Sequence, residues 1–95
     1  MLTSKQRSAL KAMANSLEPI LHVGKAGVTE NVIMQADEAL TARELIKGTV
    51  QQAAPLSAAE ALRAIAQATG AEEVLSSGRR FVLYRPRPEN PGIRI

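Results

Sequence analysis

Hydrophobic and polar positions alternate along the chain with a period that changes several times, and each change marks an element. Leu10, Met13 and Leu17 recur at helical spacing after Thr3 and Gln6, the two ends of a capping box, which predicts a helix from about Thr3 to Asn15. Arg7 and Lys11 lie four apart on it, off the apolar stripe. Pro19 cannot continue the helix, and Ile20-Leu21-His22-Val23 reads as a short buried strand stopped by Gly24. Thr29 is placed to cap a second helix whose inner face is Val32, Ile33, Ala36, Ala39 and Leu40, ending near Ala42 or Arg43. Leu45 to Val50 is a second strand, in which Gly48 predicts a bulge or a close approach by another backbone. Ser57 and Glu60 form a second capping box, Leu62 and Ile65 carry the helical spacing, and Gly70 ends it. Glu72 to Ser76 and Phe81 to Arg85 then flank Ser77-Gly78-Arg79-Arg80 as a hairpin. Pro86, Pro88, Pro91 and Gly92 predict an extended, mobile tail.

The order α-β-α-β-α-β-β predicts an α/β chain of the α+β two-layer kind, one compact domain over residues 1–86 with a four-stranded mixed sheet, followed by the tail 87–95. Helical links between successive strands favour parallel pairing with right-handed crossovers, and the final hairpin is antiparallel. Ninety-five residues, 45% apolar and 22% charged, hold one such core and no second domain. Phe81 and Leu83 share one face of the last strand and Val82 and Tyr84 the other.

Composition removes several kinds of chemistry. With no cysteine there are no disulfides, thiol nucleophiles or thiolate metal sites, and His22 cannot build a zinc site alone. No run approaches the roughly 18 apolar residues of a membrane span, so a soluble cytoplasmic protein without a membrane partner is expected. His22 has no Ser, Asp or Glu at a spacing that marks a catalytic partner, and Glu72 and Glu73, adjacent on a strand, face opposite sides. No enzyme activity, cofactor or small-molecule substrate is expected.

The formal charge of +3 is unevenly spread: residues 1–29 carry +3, residues 30–78 carry −4 and residues 79–95 carry +4. A fold that joins the two ends makes a basic face suited to a polyanion; left apart, the same charges are a solvated surface and a basic tail. Gly24-Lys25-Ala26-Gly27 follows a predicted strand and precedes a predicted helix, which aims backbone N–H groups and a helix N-terminus at one place, with Lys25 as a mobile charge. Such a turn clamps phosphates, and a GXXG loop grips about four nucleotides of backbone in the KH module. By itself the glycine pair is equally a plain turn. The longer spacing of a nucleotide-hydrolysing P-loop is missing. With Phe81 and Tyr84 as the whole aromatic complement, base stacking cannot be the main device.

Several ordered segments together carry a resemblance. Leu2-Thr3-Ser4-Lys5-Gln6-Arg7, Pro19 to Val23 running into Gly24-Lys25-Ala26-Gly27-Val28-Thr29, Ala39-Leu40 with Glu44-Leu45-Ile46-Lys47, and Val82-Leu83-Tyr84-Arg85-Pro86 resemble the CRM domain over residues 2–86, in particular its stand-alone bacterial form, the YhbY family. The resemblance implies a fold similar to the C-terminal domain of bacterial translation initiation factor three and association with precursors of the large ribosomal subunit. It implies a clamp of Gly24, Lys25, Ala26 and Gly27, with Arg7, Lys11, Lys47 and Arg85 as basic contacts around it. Gly48 departs from the family pattern, where a β-branched residue is expected, and leaves the orientation of Lys47 open. The expected function is that of a monomeric RNA-binding protein gripping structured ribosomal RNA by its backbone. The alternative is a module that docks on a ribosomal protein or assembly factor.

Overall fold

The computed structural model describes residues 2–89 and 91–93. Helix α1 (Ser4–Ala14) begins at a reciprocal cap: the Thr3 hydroxyl accepts from the Gln6 N–H at 3.1 Å while Gln6 Oε1 accepts from the Thr3 N–H at 3.0 Å. Strand β1 (Leu21–Val23) follows, then α2 (Glu30–Arg43), whose cap is the Thr29 hydroxyl on the Val32 N–H. After β2 (Leu45–Val50), helix α3 (Ala58–Thr69) repeats the reciprocal cap with Ser57 and Glu60. Gly70 closes α3 at φ 74°, a conformation that costs glycine nothing. Strands β3 (Glu72–Ser77) and β4 (Arg80–Tyr84) complete the expected order.

The sheet runs β1-β2-β4-β3. β1 and β2 are parallel, joined by the α2 crossover, and β4 is antiparallel to both β2 and β3. The second helical link does not make its two strands neighbours: α3 carries the chain past one strand position, and the tight hairpin turn returns β4 into the gap. Gly78, at φ 59°, supplies the positive φ at the first central position of that turn, whose backbone twist matches the flanking strands.

Side-chain alternation then divides the core. Ile46, Val50, Phe81 and Leu83 join Leu21 and Val23 beneath α2 and α3, while Leu45, Val74, Val82 and Tyr84 meet Leu10 and Ala14 of α1 on the opposite face. The expected two layers are the sheet and the α2/α3 pair; α1 adds a partial third. As an edge strand β1 is buried on one side only, with Ile20 and His22 exposed rather than enclosed. The bulge expected in β2 lies elsewhere. Leu45 to Thr49 pair with β4 without interruption, and the register shift sits in β3 between Glu73 and Leu75. Gly48 is required because the Phe81 ring lies across it, so the close approach is by a side chain, not a backbone.

Residues after β4 do not run free. Glu44, 1% exposed and at φ 65°, accepts hydrogen bonds at its carboxylate from the backbone N–H groups of Arg87, Gly92 and Ile93, at 2.9 to 3.1 Å. Ile93 packs at the edge of the α1-side cluster. The expected mobile tail is therefore anchored at Arg87, Gly92 and Ile93, and Asn90, Arg94 and Ile95 lie outside the described residues. The Arg87 N–H bond, with those of Gly92 and Ile93 and the Arg87 charge, outweighs burial and holds the Glu44 carboxyl below its ordinary value of 4.5. A carboxyl lowered in the folded state contributes fully above its unfolded value and ceases to contribute as pH falls through the lowered one. Tail anchoring is accordingly expected to weaken below about pH 4.5, seen as coupled shifts of the Gly92 and Ile93 amide resonances. Glu44→Gln should abolish that step; a step that persists unchanged in the Glu44→Gln protein would contradict it.

Candidate nucleic-acid interface

Gly24 to Gly27 form a tight turn directly after β1, closed by the Gly27 N–H donating to the Gly24 carbonyl at 2.9 Å. Gly27 is buried at φ 77°, and a Cβ built there would stand 3.4 Å from Cγ of Pro55. On Gly24 a Cβ would come within 3.0 Å of Gln51 Oε1. Gly27 is called for by its positive φ rather than by lack of space, and both glycines face the connection between β2 and α3, itself tied down by the Gln51 N–H on the Val23 carbonyl at 2.8 Å. Lys25 and Ala26 form the exposed apex. The glycines face inward on protein, and the outward edge of the turn is Lys25-Ala26.

Topology assembles more around this turn. The C-terminal ends of β1 and β2, the N-termini of α2 and α3, and the Ser77-Gly78-Arg79-Arg80 turn all occupy one end of the sheet, since Thr49 pairs with Arg80 and the Val50 N–H donates to the Arg79 carbonyl at 2.7 Å. Two helix N-termini bring partial positive charge there. Their acids are Glu30, exposed in the first turn of α2, and Glu60, whose carboxyl the Ser57 N–H and hydroxyl hold below its ordinary value. Arg79 and Arg80 are exposed and have no side-chain partner among the described residues. Sequence reasoning placed both in a basic block and a hairpin but not in the site, because only the strand order brings that hairpin beside the turn.

The remaining basic candidates separate. Lys47 faces α1, where its Nζ donates to the carbonyls of Ala14 at 3.1 Å and Leu17 at 3.3 Å, leaving one N–H available. That settles its orientation: with Ala14, Asn15, Ser77 and Arg80 it lines a depression of about 190 Å³ at the α1 C-terminus. Lys11 lies one turn and Arg7 two turns back along α1, both exposed and without a partner among the described residues.

Arg85 is not brought to the turn. It lies five positions along from Arg80, about 16 Å at strand rise, where its guanidinium donates to the Asp37 carboxylate at 2.6 Å, the Thr69 carbonyl at 2.8 Å, the Asp37 carbonyl at 3.0 Å and the Thr41 hydroxyl at 2.9 Å. It ties the C-terminal ends of α2 and α3 together, and Arg87 does the same for α2 alone through the Ala42 carbonyl at 2.8 Å. Phe81 and Tyr84, 0% and 5% exposed, present no platform for bases. Burial, with the Glu44 charge second, raises the Tyr84 phenol above its ordinary value.

A family model described as the CRS1 / YhbY (CRM) domain matches residues 2–85. Probable RNA-binding protein YqeI of Bacillus subtilis is 40% identical over 95 residues, covering 100% of this chain and 99% of its own length. An RNA-binding protein of Haemophilus influenzae is 38% identical over 88 residues, covering 93% of this chain and 89% of its own. Among solved structures, SAV1595 of Staphylococcus aureus superposes with a TM-score of 0.84 at 39% identity, over 100% of this chain and 99% of that one.

Proposed function

This chain belongs to the CRS1/YhbY (CRM) domain family, and from that premise we propose that it binds RNA by the phosphate backbone at the GxxG end of its sheet. The partner is structured ribosomal RNA, met during assembly of the large subunit, as the family resemblance implies. One observation carries the reading. An exposed Lys25-Ala26 apex, held rigid by the connection behind it, stands where two helix N-termini converge and where no aromatic is available for base stacking. Arg7 and Lys11, exposed on α1, and the remaining N–H of Lys47 are further basic contacts in this reading. Contacts of this kind hold shape and charge rather than sequence. No reacting group is needed, and the protein acts as a chaperone or placeholder rather than a catalyst.

Backbone gripping makes a quantitative prediction. Four to six phosphate contacts give a slope of roughly −3 to −5 for log affinity against log salt on structured ribosomal RNA. Ala26→Asp is the variant to compare, since its side chain is exposed, whereas Gly27→Asp would strain a buried position at φ 77° and confuse folding with binding. The Ala26→Asp protein should keep its thermal transition and lose on the order of tenfold in affinity, with a shallower slope. Affinity that ignores salt and this substitution would overturn the site. A wild type that ignores RNA yet retains a ribosomal protein after nuclease treatment would favour docking on protein instead.

A further inference from the structure

The basic residues of this chain fall into two groups that the sequence does not separate. Lys47, Arg85 and Arg87 are occupied with backbone carbonyls at or just beyond helix C-termini, at 2.8 to 3.3 Å. Arg79 and Arg80 are exposed and without side-chain partners among the described residues, although they sit on a hairpin pinned to β2 by the Val50 N–H. The hairpin turn and the GxxG turn project from the same end of one sheet, with β2 between them. At a strand spacing of about 4.8 Å, their centres stand roughly 12 Å apart. Gln51 and Gln52, exposed at the end of β2, occupy the interval, and no Asp or Glu lies in Ser77 to Arg80 or in Gln51 to Leu56. The surface between the two turns is therefore a polar strip with a cation at each end.

We infer that the β3–β4 hairpin is a second phosphate-binding element, and that one unpaired RNA strand is held at two points, by the GxxG turn at Lys25 and by Arg79 and Arg80, crossing the sheet end over Gln51 and Gln52. The inference rests on the RNA-binding reading above and adds to it a direction of travel and a minimum length. A rigid two-point grip explains how a chain without exposed aromatics orders a strand: the two turns are fixed by the sheet, so little entropy is lost by the protein on binding. Arginine suits the second point because its planar guanidinium meets a phosphate with two parallel hydrogen bonds.

Length dependence tests it. A two-nucleotide single strand is too short to span the interval between the turns and occupies the GxxG clamp alone, whereas a twelve-nucleotide strand of the same base composition reaches both turns. On the longer strand the Arg79→Ala/Arg80→Ala protein should lose on the order of tenfold to a hundredfold in affinity at 0.1 M salt, with a salt slope shallower by about two. On the two-nucleotide strand at low salt it should match the wild type, while Lys25→Ala weakens both. Both arginine side chains are exposed, so an unchanged thermal transition is expected of the double variant. Lys25→Ala weakening both strands while the double variant weakens neither would overturn the second element and leave the GxxG site standing. Equal losses of the double variant on the short and long strands would overturn the two-point path. A double-stranded RNA bound more tightly than the twelve-nucleotide strand, with the same arginine dependence, would overturn the unpaired strand as occupant. Wild type that binds neither strand nor structured RNA would overturn the RNA reading itself.

Discussion

Gly48→Ala is expected to lower folding stability by about 1–2 kcal/mol, and Gly48→Val by more, although glycine is a poor strand residue and sits here in the middle of β2. Two effects of opposite sign compete. Removing a glycine from a strand interior gains about 0.5–1 kcal/mol in backbone entropy. Against that, the new Cβ would stand 2.6 Å from Cε1 and 3.0 Å from Cε2 of the Phe81 ring, and closer still to Cζ. Phe81 is 0% exposed, packed among Leu21, Ile46, Ile65 and Leu83, so its ring has no free space into which to turn. Overpacking of this kind typically costs 1–3 kcal/mol and decides the sign. Urea unfolding should show a lower midpoint with an unchanged slope, and a melting temperature reduced by roughly 5–15 °C for a domain of this size. The cause is checked by adding Phe81→Leu. That change alone opens space and destabilises, but in the Gly48→Ala background it should recover stability, giving a coupling energy of about 1 kcal/mol or more. Gly48→Ala within 0.5 kcal/mol of the wild type would show that the ring is not the constraint.

Arg85→Met is expected to cost about 2 kcal/mol of stability while leaving RNA affinity and its salt slope as they are in the wild type. Methionine keeps much of the apolar stem but removes hydrogen bonds to the Asp37 and Thr69 carbonyls, the Asp37 carboxylate and the Thr41 hydroxyl. Bonds from a charged donor contribute roughly 1.5–3 kcal/mol, discounted here because Asp37 is 58% exposed and its ion pair is partly screened. The comparison with Lys25→Ala separates structure from binding: Lys25, exposed at the turn apex, should lose affinity with its thermal transition intact. Should Arg85→Met weaken RNA binding as Lys25→Ala does, the basic surface would extend to the far end of β4, against the division of roles drawn from its hydrogen bonds.

Local chemistry is legible in the sequence because its partners are close along the chain. Thr3 with Gln6 and Ser57 with Glu60 are caps whose partners are three residues away, and Gly70 and Gly78 meet backbone requirements set by their immediate neighbours. For the same reason the alternation Phe81, Val82, Leu83, Tyr84 divides correctly between two faces, and the GxxG turn falls at the junction of a strand and a helix. None of these depends on which strand lies beside which.

Strand order is not legible in that way, because hydrophobic period tells which face of an element is buried and not which element covers it. Everything decided by that order was therefore beyond the sequence. Placing β4 between β2 and β3 set Phe81 opposite Gly48, which turned an expected bulge into a packing requirement. The same placement carried Arg79 and Arg80 to the GxxG end and Arg85 to the other. A cation's role follows from the oxygens within reach of it, and those are fixed by contacts between residues far apart in the chain. Lys47 found the Ala14 carbonyl at the end of α1, Arg85 the Thr69 carbonyl at the end of α3 and the Asp37 carbonyl within α2, and the backbone amides after β4 found Glu44. Sequence alone thus determined the elements, their caps and the location of the GxxG turn, whereas only the tertiary structure decided which charges hold the fold together and which remain exposed.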